Sequence, residues 1–309
     1  MSDFHYTIRN YQPSDFNKFV QLNVEAEKLE PAGSPVSEQL IAEHLGRPNY
    51  SPGQDLFLIE IDGSTVGYLD MAPELTIGRV ILYCWIHPEH HRKGLATKLL
   101  GYALKRAREL AVKVVRVKIT KDNTAAKKLL SKLGFKYVHR FLELRLDLSS
   151  FCALDTTLLA LECRHLMPGE EEKLTGLQNR CFAGTWGFNP NTVEEITYRL
   201  NQSGCSPQSV VLTCQQDNVI GYCWTELAGQ EEEDDRRTGR ISMMGTDPDY
   251  RGKGVGKRVI MAGLKYLKDR NARVAELTVD SENRPARALY RSLGFKVKTT
   301  SLWYEKMID

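Results

Sequence analysis

Apolar and polar positions run through the same series twice along this chain. In the first half a short stretch at Thr7-Ile8-Arg9 predicts a strand, and Gln12-Pro13-Ser14-Asp15 opens a helix carrying Phe16, Phe19, Val20 and Leu22. In the second half Leu161-Glu162-Cys163-Arg164 takes the part of the strand, and Met167-Pro168-Gly169-Glu170 opens the helix. Second helices are expected over 36–46 and 191–202. Leu56–Ile61 and Ser209–Cys214 read as strands, and each turns through Asp62-Gly63 or Asp217-Asn218 into another, at Val66–Tyr68 or Ile220–Tyr222. A third hairpin strand follows at about 78–86 and 240–246. Apolar residues at 95, 99, 100, 103, 104 and 107, and at 255, 259, 260, 264 and 267, then keep helical spacing with one buried face.

Each series closes with a strand (Val114–Ile119; Val274–Val279), a helix (124–132; 284–292) and a final strand. Antiparallel strands first and a parallel β-α-β crossover later predict a mixed α/β sheet fold, present twice. The division expected from this order is a domain over 1–148, a linker over 149–157 and a second domain over 158–309. At 309 residues each half is large enough to bury roughly 70% of its unfolded surface. The repetition extends to residue identity. Residues 87–136 and 247–296 align without a gap with 13 identities in 50 positions, and end on Leu133-Gly134-Phe135-Lys136 and Leu293-Gly294-Phe295-Lys296.

The most telling part of the repeat is Asp247-Pro248-Asp249-Tyr250-Arg251-Gly252-Lys253-Gly254-Val255-Gly256 at the head of a helix, with His87-Pro88-Glu89-His90-His91-Arg92-Lys93-Gly94-Leu95-Ala96 as its first copy. Glycines at a helix start let backbone N–H groups point outward, where the helix dipole favours negative charge, so the segment reads as a phosphate cradle. It is not a P-loop: three residues separate Gly252 from Gly256, and Lys257 is followed by Arg258. A dinucleotide fingerprint needs a small residue three places after Gly254, where Lys257 stands, although Glu276 lies about 20 residues on.

A net charge of +3 with no basic run among aromatics argues against nucleic acid. The chain start carries no cationic-then-apolar signal and no apolar run reaches the ~18 residues of a membrane span, so a cytoplasmic protein is expected. Cys84, Cys152, Cys163, Cys181, Cys205, Cys214 and Cys223 form no CxxC pair and read as reduced core thiols. His87, His90 and His91 read as loop histidines rather than metal ligands.

The loop together with Asn283-Arg284-Pro285-Ala286-Arg287-Ala288-Leu289-Tyr290-Arg291-Ser292-Leu293-Gly294-Phe295 resembles the GNAT superfamily of acyl-CoA N-acyltransferases. Its pattern is Gln/Arg-x-x-Gly-x-Gly/Ala, then Asn-x-x-Ala-x-x-Leu-Tyr-x-x-x-Gly-Phe. The tandem arrangement is similar to that of the mycothiol synthase type, in which the C-terminal domain is the active one. The first half departs from the pattern with His91 in place of Arg251 and Leu130 in place of Tyr290. The resemblance implies acetyl-CoA as cosubstrate, no metal, and transfer from the thioester to a primary amine without an acyl-enzyme. It assigns cofactor binding to Arg251, Gly252, Lys253, Gly254, Val255, Gly256, Lys257, Asn283 and Ala286. In the first half the corresponding residues are Arg92, Lys93, Gly94, Leu95, Ala96 and Asn123. The pantetheine arm is expected beside the strand Met244-Gly245-Thr246, whose backbone N–H would polarise the thioester carbonyl.

Tyr290 matches the family's general acid, which protonates a leaving thiolate of ordinary pKa ~8.5. Glu226 is placed like the family carboxylates that hold a water or accept a proton, and a solvated strand-end glutamate is the competing reading. The run Glu231–Asp235 reads as a solvated hairpin loop. Trp186-Gly187-Phe188 and Tyr198 resemble an acceptor-pocket lining, with buried packing aromatics as the competing reading. The acceptor itself stays open among a small amine, an amino sugar, an aminoglycoside, a peptide N-terminus and a mycothiol precursor, and nothing in the sequence speaks to oligomeric state. The rival reading is a non-catalytic acyl-CoA-binding or regulatory protein. Tyr290 separates the two, because binding alone needs no acid.

Overall fold

A computed structural model of the chain describes residues 5–30, 36–149, 151, 161–216, 218–227 and 237–308. Two compact units emerge, Met1–Arg140 with Ser301–Asp309, and Phe141–Thr300. The first contains β1 (Tyr6–Asn10), α1 (Phe16–Leu29), α2 (Glu38–Leu45), α3 (Pro52–Asp55), β2 (Leu56–Ile61), β3 (Ser64–Glu74), β4 (Arg79–Ile86), α4 (Leu95–Glu109), β5 (Val114–Thr120), α5 (Thr124–Lys132) and the start of β6 (Lys136–Asp147). The second contains the rest of β6, β7 (Glu162–His165), α6 (Glu171–Phe182), α7 (Val193–Leu200), β8 (Val210–Gln215), β9 (Asn218–Leu227), β10 (Arg237–Thr246), α8 (Val255–Asp269), β11 (Ala272–Asp280), α9 (Arg284–Ser292) and the start of β12 (Lys296–Met307).

The mixed α/β architecture is as the element order predicts, with the short turn of helix at Pro52–Asp55 added. In the first unit the strand order is β1-β2-β3-β4-β5-β12, antiparallel except for the parallel β4–β5 pair. In the second it is β6-β11-β10-β9-β8-β7, with β10–β11 the parallel pair. Both units place helices on the two faces of the sheet because strands with buried residues on either side need cover on both. In the second unit Val259, Ile260, Leu264 and Leu267 of α8 pack on Cys223, Ile241, Ala275 and Leu277. On the opposite face Leu174 and Leu177 of α6 and Ile196 and Leu200 of α7 pack on Val210, Leu212, Tyr222 and Trp224.

The closing strands do not follow the halves of the sequence. Residues Phe141–Asp147 of β6 pair with β11, and Ser301–Met307 of β12 pair with β5. A division at 149–157 assigns each of these segments to its own half, whereas contact assigns it to the other unit. Of the expected linker, residues 150 and 152–157 lie outside the described residues, while Ser149 N–H donates to Asp147 Oδ1 at 2.8 Å. The cysteines are less uniformly core than expected. Cys181, Cys214 and Cys223 are buried, Cys163 and Cys205 half-buried, and Cys84 exposed, all free; Cys152 lies outside the described residues.

Candidate active site

Both glycine segments fold alike. In the second unit Asp247 Oδ1 accepts the Asp249 N–H and so caps a 3-10 turn, Pro248–Tyr250, after which Gly252 and Gly254 take φ of +75° and +81°. Gly254 is the residue before α8 and offers no side-chain cap, so the first N–H groups of the helix are left for an outside partner. A Cβ at Gly254 meets nothing within 4 Å, so the space over the loop is open. In the first unit Gly94 has φ +78° and equally open space, but Arg92 holds the position of Gly252 with φ +61°. A non-glycine residue in the left-handed region is strained. Arg251–Gly254 and His91–Gly94 are exposed, while Val255 and Leu95 anchor their helices in the core.

Arg251 braces the loop. Its Nη2 donates to the Cys181 carbonyl at 2.7 Å and its Nε to the Thr246 carbonyl at 3.4 Å. Arg180, one residue before Cys181, pairs with Asp247 at 3.0 Å. The C-terminal end of α6 therefore clamps the loop entry, a role for Arg180 and Cys181 that no motif announced. Lys253 Nζ turns back onto the Asp249 carbonyl at 3.0 Å, and Lys257 stays exposed on the first turn of α8.

Strand β10 brings a backbone edge to the same place. It pairs with β11 from Arg237 to Ile241 and with β9 on to Thr246. Past Ile241 the β11 side of Ser242–Thr246 is therefore unpaired, which suits addition of an extended ligand. The register with β9 also shifts between Ile241 and Met243, a bulge that re-aims the segment Met244-Gly245-Thr246. The matching β3–β4 pair of the first unit runs unbroken from Gly67↔Ile86 to Glu74↔Arg79.

Tyr290, on α9, is 7% exposed and packs edge-on against Phe295 at 5.8 Å. Burial, with a smaller contribution from Cys223, raises its phenol well above the ordinary value, so it stays protonated. Leu130 fills the same place in the first unit at 3% exposure. Asn283 and Asn123 cap the following helices, their Oδ1 atoms accepting from Ala286 N–H at 3.1 Å and Ala126 N–H at 2.9 Å.

Glu226, on β9, is held by Arg199 of α7. Arg199 Nε and Nη2 reach Glu226 Oε1 at 3.2 and 2.7 Å, and the guanidinium lies over the Trp224 ring at 4.7 Å. Burial pushes the Glu226 carboxyl up, but Arg199 and Arg240 outweigh it and hold it below the ordinary carboxylate range. Trp186 and Phe188 are half-buried, against Phe141 at 5.9 Å and stacked on Phe182 at 5.4 Å. Residues 231–235 lie outside the described residues. The loop histidines have local partners: His87 Nδ1 accepts the Glu89 N–H, and His91 Nε2 lies 2.7 Å from the Ile86 carbonyl.

Comparison with known proteins matches this arrangement. A family model described as "Acetyltransferase (GNAT) family" fits residues 22–135 and again 172–295. The mycothiol acetyltransferase of Thermobispora bispora is 28% identical over 281 residues, covering 88% of this chain and 90% of its own. That of Thermomonospora curvata is 30% identical over 284 residues, covering 88% and 87%. Among solved structures, a tandem GNAT protein from the clavulanic acid biosynthesis pathway superposes with a TM-score of 0.75 at 14% identity, covering 99% of each chain. With two copies of the loop, two matches to the family and relatives aligned along most of its length, the chain belongs to the acetyltransferase (GNAT) family and is an acetyl-CoA-dependent acyltransferase.

Proposed function

We propose that the second unit transfers an acetyl group from acetyl-CoA to the primary amine of a small polar molecule. The observation that carries this is the gathering of β10 and α9 at the head of α8, where a Cβ on Gly256 would lie 3.3 Å from Thr246, 3.6 Å from Met244 and 3.7 Å from Leu289, the neighbour of Tyr290. The open loop with left-handed Gly252 and Gly254, the unpaired edge of β10 and the buried phenol of Tyr290 support it. Backbone N–H groups of 252–257 take the pyrophosphate, with Arg251 holding the loop in shape. The pantetheine arm extends β10 as an added strand, and an N–H of Met244–Thr246 polarises the thioester carbonyl.

The amine nitrogen attacks that carbonyl carbon, the C–S bond breaks, and the sulfur takes the proton of the Tyr290 hydroxyl. The proton lost by the amine leaves through a water held by Glu226, and a proton from solvent restores the Tyr290 phenol, so that none is gained or lost over the cycle. A carboxylate held low by Arg199 is a weak base but a steady anion, so holding the water suits Glu226 better than accepting the proton itself. Asn283 acts by capping the helix that carries Tyr290. The mycothiol acetyltransferase name of the relatives supports a small-molecule acceptor over a peptide. The first unit keeps a loop of the same form but has Leu130, Arg92 and an unbroken β3–β4 register, and we assign it no turnover. Thiol release from acetyl-CoA across a panel of amines tests the proposal. Release with none of them, by protein that binds acetyl-CoA in calorimetry, favours the rival of a binding protein without catalysis.

A further inference from the structure

Three fully buried side chains among the described residues of the second unit, Tyr222, Trp224 and Gln178, keep hydrogen-bonding capacity that the protein does not use, and Trp224 lies under the Arg199 guanidinium. Tyr222 of β9 and Gln178 of α6 are each 0% exposed. Among the described residues, neither the Tyr222 hydroxyl nor Gln178 Nε2 has a protein partner within hydrogen-bonding distance. The other end of Gln178 is occupied: its Oε1 accepts from Asn191 Nδ2 at 3.1 Å. Asn191 is fixed in turn, its N–H donating to Asn179 Oδ1 at 2.9 Å. The amide is thus oriented with its NH₂ unspent. An unmatched buried polar group is less stable than an apolar group of the same shape, so packing alone favours phenylalanine at 222 and leucine at 178.

The Tyr222 ring lies against the segment of β10 whose edge is unpaired. A Cβ on Gly245 would stand 2.8 Å from Tyr222 Cε1 and 2.8 and 2.9 Å from Cys181 Cβ and Sγ, so the Tyr222 ring and Cys181 meet against that glycine. Gln178 lies one turn before Cys181 on the same face of α6. Gly245 belongs to the segment of β10 with the unpaired edge. Burial raises the Tyr222 phenol well above its ordinary value, with Cys181 and, more weakly, Tyr290 adding to the effect. Tyr222 is therefore a neutral donor.

We infer that Tyr222 and Gln178 read the acceptor: their O–H and N–H donate to a neutral oxygen carried beside the reacting amine. The acceptor class is then amines with a neighbouring hydroxyl or amide oxygen, as distinct from plain alkyl or aryl amines. This rests on the acetyl-transfer reading above and deepens it. A site built to hydrogen-bond its substrate rejects the analogue lacking that group strongly, because its own polar groups are then left unpaired.

The test is thiol release from acetyl-CoA with matched amines, glucosamine against cyclohexylamine and alaninamide against isopropylamine. The wild-type protein is expected to prefer the oxygen-bearing member by at least about a hundredfold in kcat/KM. Tyr222→Phe and Gln178→Leu should each reduce that preference about tenfold or more, mainly through KM, with acetyl-CoA affinity and rates on the plain amines unchanged. Tyr222→Phe should also melt no lower than the wild type, since it removes an unmatched hydroxyl. A lower melting temperature with both amine classes slowed equally, or an undiminished preference in Tyr222→Phe, would mean that the hydroxyl is structural or served by buried water, and would overturn the assignment. A wild-type protein active on both members of each pair without preference would remove the assignment and leave acetyl transfer standing. Failure to release thiol with any of the amines would remove both.

Discussion

His91 and Arg251 perform one task with different chemistry. His91 Nε2 lies 2.7 Å from the carbonyl of Ile86, and Arg251 Nε lies 3.4 Å from that of Thr246, each carbonyl ending the strand before its loop. Where the sequence of the first copy departs from the arginine, a shorter side chain makes the same tether. Arg251 alone makes the second bond, to the Cys181 carbonyl.

The tether predicts an ordered series at position 251. Arg251→Ala should loosen the loop and weaken acetyl-CoA binding about tenfold, the loss of one to two charge-assisted hydrogen bonds. Arg251→His should recover part of that loss, as His91 does for its own loop. Calorimetric titration of both variants checks the order. Equal affinities for all three proteins would show that the side chain does not shape the cradle.

Substitutions at the two glycines before the helices should have unequal consequences. Gly254→Val meets no neighbour but must adopt φ near +81° and projects into the open space over the loop. It is expected to weaken acetyl-CoA binding more than tenfold and to abolish activity. Gly94→Val bears the same strain at φ +78° and should leave much of the activity if the fold survives. An inactive, folded Gly94 variant beside an active Gly254 variant, both checked by circular dichroism, would place the chemistry in the first unit.

Replacing Tyr290 by phenylalanine should leave acetyl-CoA affinity unchanged and lower kcat by roughly 10²–10⁴, the usual size of a general-acid contribution. Because burial raises the phenol above its ordinary value, the wild-type rate should not fall with an alkaline limb below about pH 10. Turnover of Tyr290→Phe at the wild-type rate would return this residue to the core, where Leu130 stands in the first unit.

A chain ending after residue 300 should damage the unit that does not contain residue 300. It removes Ser301–Met307 from beside β5, the buried Tyr304, the 2.8 Å pair of Glu305 with Arg116, and the 2.6 Å bond from Lys306 to the Leu133 carbonyl. Amides of β5 that bond to β12 should lose hydrogen-exchange protection by orders of magnitude while β10 and α8 keep theirs. Unchanged protection in β5 would show that the strand exchange does not hold in solution.

Much of this protein was legible in the order of its residues. Apolar spacing, turn residues and caps act over a few positions, so strands, helices and the left-handed bends at Gly252 and Gly254 follow from local physics, and repetition exposes them twice. The likeness of the two Gly-rich loops and the contrast of Tyr290 with Leu130 needed only alignment. Tertiary structure alone decided which strands β6 and β12 close against, since hydrogen bonds between strands carry no sequence signature of their partner. It likewise decided that Arg199 holds Glu226, that Arg180 and Cys181 clamp the loop, and that Tyr222 and Gln178 are buried with donors unspent. Those relationships join residues tens of positions apart, and whether a polar group is matched depends on the distance and direction of every neighbour that packing brings to it.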